Sequence, residues 1–235
     1  MGTWDWQVFL RDNGGGVTYL EWMMSAWGWT ISIAVCALVV ALVVGSLVGI
    51  LRTTPNRWLV FLGDAWTEIF RNVPLLVQIF LWYHVLPTLF LVLRGVPSFV
   101  LVVLALGFFA SARISEQVRA GIQSLSKGQR YAGLATGLTL PQTYRYVLLP
   151  MAFRIIIPPL TSESMNIVKN TSVAFAVSIA ELTMFALQAQ EETSRGIEIY
   201  LAVTALYFLS AFVVNRVAAF IEGRVRVPGM IGAKS

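Results

Sequence analysis

Residues 29–51 form a run with no charged side chain. At ~1.5 Å per residue, a helix of that length crosses the ~30 Å hydrocarbon core of a bilayer. Inside such a core every backbone N–H and C=O needs a partner within the protein, which leaves only helices or closed barrels. The rest of the chain extends the constraint. Of 235 residues, 57% are hydrophobic and 12% are charged, against ~25% charged in ordinary soluble domains. Too few polar side chains remain to cover a water-facing surface. The pattern predicts one all-α integral membrane domain with five transmembrane helices.

The first span is residues 29–51, ended by Arg52, Pro55, Asn56 and Arg57. The second lies within 59–91, with an uncharged core at 73–83 and a turn at Arg94 and Gly95. The third runs over 96–114 and continues as a polar helix through Arg119. The fourth starts near Leu160, after Pro158 and Pro159, and reaches Ile179; the fifth is 199–217. Loop charges set the orientation. Arg52 and Arg57, then Arg119, Lys127, Arg130 and Arg145, then Arg216, Arg224, Arg226 and Lys234 fall on one side. The other side has Arg11, Arg94 and Arg195 beside Asp5, Asp12, Glu21, Glu191 and Glu192. Positive loops stay in the cytoplasm, so the expectation is N-terminus out and C-terminus in. Residues 1–28 then form an outer interfacial segment, 29–223 the membrane domain, and 224–235 a cytoplasmic tail. The N-terminus lacks a basic stretch followed by an apolar core, so the first span is expected to act as an uncleaved insertion signal. Trp4, Trp6, Tyr19, Trp22, Trp27 and Trp29 read as an interfacial aromatic belt. Gly45 and Gly49 form a GxxxG, suited to close helix approach either within one subunit or between two.

Several chemistries are excluded. Cys36 is the single cysteine and His84 the single histidine, so an intrachain disulfide and a Cys/His metal cluster are both out. No GxxxxGK[ST], GxSxG, HExxH or CxxC occurs. The chain has no recognised device for hydrolysing ATP, and no cofactor is expected in it. The net charge of +5 follows from loops between apolar runs and does not point to nucleic acid.

The loop GQRYAGLATGLTLPQTYRYVLLP, residues 128–150, carries a motif. It resembles the cytoplasmic "EAA" loop of bacterial ABC importer permeases: Ala132 keeps the middle alanine, Gly137 the spaced glycine, and Leu149-Pro150 the end, with Val147 for isoleucine. Upstream, Glu116, Arg119, Gly121, Ile122, Ser124, Gly128 and Gln129 match the amino-acid branch. The departures are Tyr131 where glutamate is usual and Gly133 where the second alanine is usual. FRNVPLLVQIFLWY, residues 70–83, is similar to the Phe-Arg-x-x-Pro-x-x-x-Gln stretch of polar amino-acid permeases through Phe70, Arg71, Pro74, Leu75 and Gln78. The resemblance implies a MetI-like permease fold with a cytoplasmic coupling helix. Tyr131, Ala132, Gly133, Ala135, Gly137, Leu138, Leu149 and Pro150 would dock the ATPase. It also implies separate ATPase subunits holding ATP and Mg, a second permease, homologous or identical, a periplasmic solute-binding protein, and a bacterial inner-membrane location in contact with lipid. Local strings including GILRTTPNR and VRVPG point to glutamate and aspartate as the imported amino acids. Glutamine or a basic amino acid is the alternative, and an ATP-independent carrier a further one.

Span four holds an unusual polar set: Glu163, Asn166, Lys169, Asn170, Thr171 and Ser172. Glu163, Asn166, Lys169 and Asn170 share one helical face. A charge at bilayer depth costs ~2.5–3.5 kcal/mol on insertion scales, so such groups face protein or a wet cavity. One reading is a substrate pathway, with Lys169 near a carboxylate and Glu163 or Asn166 near an ammonium, joined by Arg71, Gln78 and Arg113. The other is pairing with a neighbouring subunit or snorkelling at a helix end. The three-residue spacing of Arg113 and Glu116 predicts an ion pair.

Overall fold

The computed structural model describes residues 4–225; Arg226, Lys234 and most of the VRVPG string lie outside them. A short 3₁₀ turn, Trp6–Leu10, precedes the first long helix, α1 (Tyr19–Leu51). The start of α1 is fixed by a reciprocal cap. The Glu21 N–H donates to the Thr18 hydroxyl, and the Thr18 N–H donates to the Glu21 carboxylate, closing two donors that a helix start leaves open. The helix therefore begins inside the segment expected to precede the membrane domain, and Trp22 and Trp27 belong to it. Their packing partners are Phe185 and Ser210: Trp22 meets the Phe185 ring edge-on, and Trp27 Nε1 donates to Ser210 Oγ.

The second span is broken. Helix α2 (Arg57–Asn72) stops before Pro74, and α3 (Leu75–Leu89) leaves at 103° to it. Pro74 has no N–H and forces Val73 into extended backbone (φ −92°, ψ 130°). The carbonyls that lose helical partners are met by a side chain: Gln78 Nε2 donates to Phe70 O at 2.8 Å and Val73 O at 2.9 Å.

Helix α4 (Ser98–Gln123) forms the centre, packed against α1, α2 and α3 and against the long helix over residues 140–177. The α1–α4 seam is built from small residues. A Cβ on Gly45 would sit 2.7 Å from Ile114 Cβ, and one on Gly49 would sit 2.6 Å from Val118 Cβ. The GxxxG thus packs within the chain, where close backbones gain dispersion contact that lipid tails would otherwise supply.

Helix α5 (Lys127–Ala135) follows α4 after a three-residue link. Helix α6 (Leu140–Val177) is continuous, with a π-turn at Tyr144–Leu148 and a 3₁₀ end at Thr171–Val177. The expectation that span four starts after Pro158 and Pro159 is corrected: both lie inside the helix. Proline keeps a helical φ, and buried Ala152 and Ile156 before the pair, with Glu163 and Ile167 after it, hold the helix on both flanks. Ser178 (φ 59°) and a 54° bend lead to α7 (Leu182–Thr193), a helix between the fourth and fifth expected spans. Glu181 caps α7, accepting from Thr183 N at 2.9 Å and Met184 N at 3.0 Å. The last helix is α8 (Gly196–Val225).

Among the described residues, α1, α4 and α8 are each long and apolar enough to cross a bilayer, and the two bent pairs bring the number to five.

Candidate functional site

Helices α4 and α6 carry the polar residues to a common face. Arg113 Nη1 lies 3.8 Å from Glu163 Oε1, too far for a hydrogen bond but close enough for an ion pair. The two ends differ in setting. Glu163 is buried, and its Oε1 has no hydrogen-bond partner among the described residues. The Arg113 side chain is 41% exposed, with its guanidinium 4.9 Å above the Phe109 ring. Asn166 continues the same face of α6 half-buried, and Lys169 stands exposed near its end. A buried carboxylate with an open lone pair beside a reachable guanidinium suits a zwitterion or an organic anion.

Thr171, Ser172, Gln78 and Arg71 have structural partners. Thr171 Oγ1 donates to Val168 O at 2.7 Å, and Ser172 Oγ to Lys169 O at 2.8 Å. Asn170 is half-buried at the α-to-3₁₀ junction. Gln78 braces the α2–α3 break, so its amide nitrogen is taken up by the backbone. The expected Arg113–Glu116 ion pair is absent. Glu116 pairs instead with Arg71 of α2, which also holds Glu68 at 2.8 Å, while Arg113 turns to Glu163. Interhelical partners win here because α2 crosses α4 beside Glu116.

One network was missed. Arg52 and Arg119, expected as loop charges, belong to it. Arg52 is buried, with Nε 2.7 Å from Asp64 Oδ1 and Nη1 3.1 Å from Ser115 Oγ; Arg119 reaches the same Asp64 oxygen at 3.4 Å. The signal lay in α2, where Asp64, Glu68 and Arg71 recur at i, i+4 and i+7.

The loop forms a helical corner. On α5, Tyr131 is 66% exposed, and Ala132 and Ala135 are exposed beside it. Gly133 points the other way: a Cβ there would meet Thr143 Cγ2 at 2.7 Å. Its smallness serves the corner's own packing, which corrects its expected place on the docking surface. Gly137 (φ 85°) ends α5 in a Schellman arrangement, with Leu138 N donating to Gly133 O and Gly137 N to Leu134 O. Leu138 is half-buried. Thr139 and Gln142 then form a capping box at the start of α6, and Tyr144 Oη donates to Thr53 O at 2.7 Å, tying α6 to the end of α1. Leu149 and Pro150 lie within α6, Leu149 against the core and Pro150 exposed, and so do not end the loop.

Residues 41–227 match the family model described as binding-protein-dependent transport system inner membrane component. The chain belongs to this family. The permease is accordingly an inner-membrane protein. It is 44% identical, over 98% of each chain, to the glutamate/aspartate import permease protein GltJ of Escherichia coli strain K12. It is 35% identical to the probable glutamine ABC transporter permease protein GlnM of Bacillus subtilis strain 168, over 83% of this chain and 89% of that one. Among solved structures, an amino acid ABC transporter with histidines superposes with a TM-score of 0.76 at 28% identity, covering 91% of the permease and 99% of that chain. The inward-facing MetNI methionine ABC transporter superposes at 0.77 with 19% identity, covering 92% and 100%, and bears on the fold alone. The permease therefore has the MetI-like fold, with α5 as the short helix between the third and fourth spans.

Proposed function

We propose that the permease is the membrane subunit of an ATP-driven importer that brings glutamate and aspartate from the periplasm into the cytoplasm. The observation that carries the substrate is the 44% identity, over nearly the whole of both chains, to a protein named for glutamate/aspartate import. In this reading the N-terminus lies outside and α5 faces the cytoplasm. The exposed Tyr131, Ala132 and Ala135 dock a separate ATPase subunit, which holds the ATP and Mg²⁺. A second permease, identical or homologous, completes the pathway, and a periplasmic binding protein delivers substrate. Arg113 and Lys169 offer cations to the two carboxylates of an acidic amino acid, and Glu163 and Asn166 offer oxygens to its ammonium. Arg71 is left out, because Glu68 and Glu116 already neutralise it. ATP-driven closure of the ATPases moves α5 and biases the pathway between outward and inward states, which differ in affinity for the substrate.

The test is uptake in vesicles holding the permease, its ATPase and its binding protein. Labelled glutamate should enter only with ATP and be competed by aspartate but not by glutamine. Glutamine uptake without glutamate uptake would favour the second reading, suggested by the relative named for glutamine. Orientation is tested separately with Ser126→Cys in a Cys36→Ser background: labelling of intact cells by an impermeant thiol reagent would reverse it.

A further inference from the structure

We propose that the face of α6 turned away from Glu163 seats one anionic phospholipid, with an acyl chain in an apolar groove and the phosphate between Arg154 and Arg224. The groove lies between α1, α6 and α8. Two adjoining cavities of about 340 and 420 Å³ share Leu38, Ser164, Val213 and Val214 as walls. One extends to Val168 and Ser210, the other to Ile157 and Ile221. At ~100° per residue, Ile157, Leu160, Ser164 and Val168 fall on the side of α6 opposite Asn166 and Lys169.

The groove asks for hydrocarbon. Its few polar groups are already satisfied: Ser164 Oγ donates to Leu160 O, Ser210 Oγ donates to Leu206 O, and Trp27 Nε1 donates to Ser210 Oγ. From Ile157 to Val168 the groove runs ~17 Å at 1.5 Å per residue, close to half the ~30 Å hydrocarbon thickness. That matches the tail of one leaflet rather than a helix crossing both.

Its end asks for an anion. Helices α6 and α8 run antiparallel, with the register set by Asn215 Nδ2 against Met165 Sδ. One turn beyond Ile157 and Ile221 come Arg154 and Arg224; counted from the Met165–Asn215 contact they lie 11 and 9 residues along, an offset of ~3 Å at 1.5 Å per residue, and helical phase puts both on the groove side. Both are exposed. Among the described residues neither has an acidic partner, and the single contact of Arg224 is the Phe220 ring at 4.8 Å. Basic clefts between spans hold lipid phosphates in this way, and guanidinium does so bidentately. The seat lies toward the C-terminal end of α8, which in the orientation proposed above is the side of the cytoplasmic leaflet's headgroups.

Native mass spectrometry of the full-length protein, titrated in detergent with phosphatidylglycerol or with phosphatidylcholine of the same acyl chains, tests this. The wild type should retain one phosphatidylglycerol per chain, at least ~10-fold more than phosphatidylcholine. Arg154→Gln with Arg224→Gln should lose that preference, and the double lysine variant should keep most of it. Leu160→Trp, which fills the groove, should lose the bound lipid with both arginines intact. Circular dichroism confirms that each variant is folded. Equal retention of the two lipids by the wild type, or undiminished phosphatidylglycerol on the glutamine variant, overturns the proposal. So does a disulfide between two copies carrying Val213→Cys and Cys36→Ser, since protein would then occupy the groove.

Discussion

Glu163 and Arg113 face each other across α6 and α4 at 3.8 Å, the one buried and the other 41% exposed. Their interaction is therefore neither a free surface pair nor a fully sealed one. A double-mutant cycle with Glu163→Gln and Arg113→Met, read by thermal unfolding of the purified permease, should give a coupling of about 1 kcal/mol, within the range for contacting charges. Glutamate uptake should fall at least ~10-fold in either single variant. A cycle closing at zero coupling, with uptake unchanged, would show that the pair serves neither stability nor transport.

Gly45 and Gly49 have no room for a side chain, whereas Gly28 on the same helix has nothing within 4 Å of a built Cβ. Gly45→Val and Gly49→Val should each cost about 1–3 kcal/mol as overpacked sites, and Gly28→Val should leave the thermal midpoint within a degree or two. Equal midpoints for all three would mean that the α1–α4 seam is looser than described.

Gln78 separates a brace from a substrate contact. Gln78→Leu strips donors from the Phe70 and Val73 carbonyls, a loss of about 1–3 kcal/mol. The expected result is a lower unfolding midpoint and faster amide exchange around residues 70–78, with the KM for uptake unchanged. A large KM change at constant stability would place Gln78 on the pathway instead.

Two faces of α5 should respond differently. Ala132→Trp and Ala135→Trp leave the corner intact and should abolish co-purification of the ATPase. Gly133→Val should disrupt the α5–α6 corner itself through Thr143, lowering thermal stability. If Ala135→Trp retains the ATPase at wild-type yield, the docking face lies elsewhere.

Apolar runs made the crossings legible, since hydrocarbon tolerates so few sequences, although only the first, residues 29–51, is free of charged side chains. Their breaks were less so, and proline shows why. Pro74 breaks the second span, yet Pro158 and Pro159 ride within α6. The residue is the same; the difference lies in tertiary partners. Gln78 supplies replacement donors at the first site, while buried neighbours on both sides hold the second. The polar face of α6 was readable from helical spacing. The actual partners of Arg113 and Arg71 were not, because they come from helices distant in sequence. Gly133 was read as small for a partner's sake when its neighbour is Thr143 of the same corner.

Ser124, Leu125 and Ser126 are the whole tether between α4 and α5, and residues 136–139 are the whole tether between α5 and α6. A tug on Tyr131 thus arrives at both jaws that carry Arg113 and Glu163, with almost no slack to absorb it. The gap between those two side chains must then follow the difference in how far each jaw yields, so a stroke that shifts both equally leaves the gap unchanged and a twist opens it.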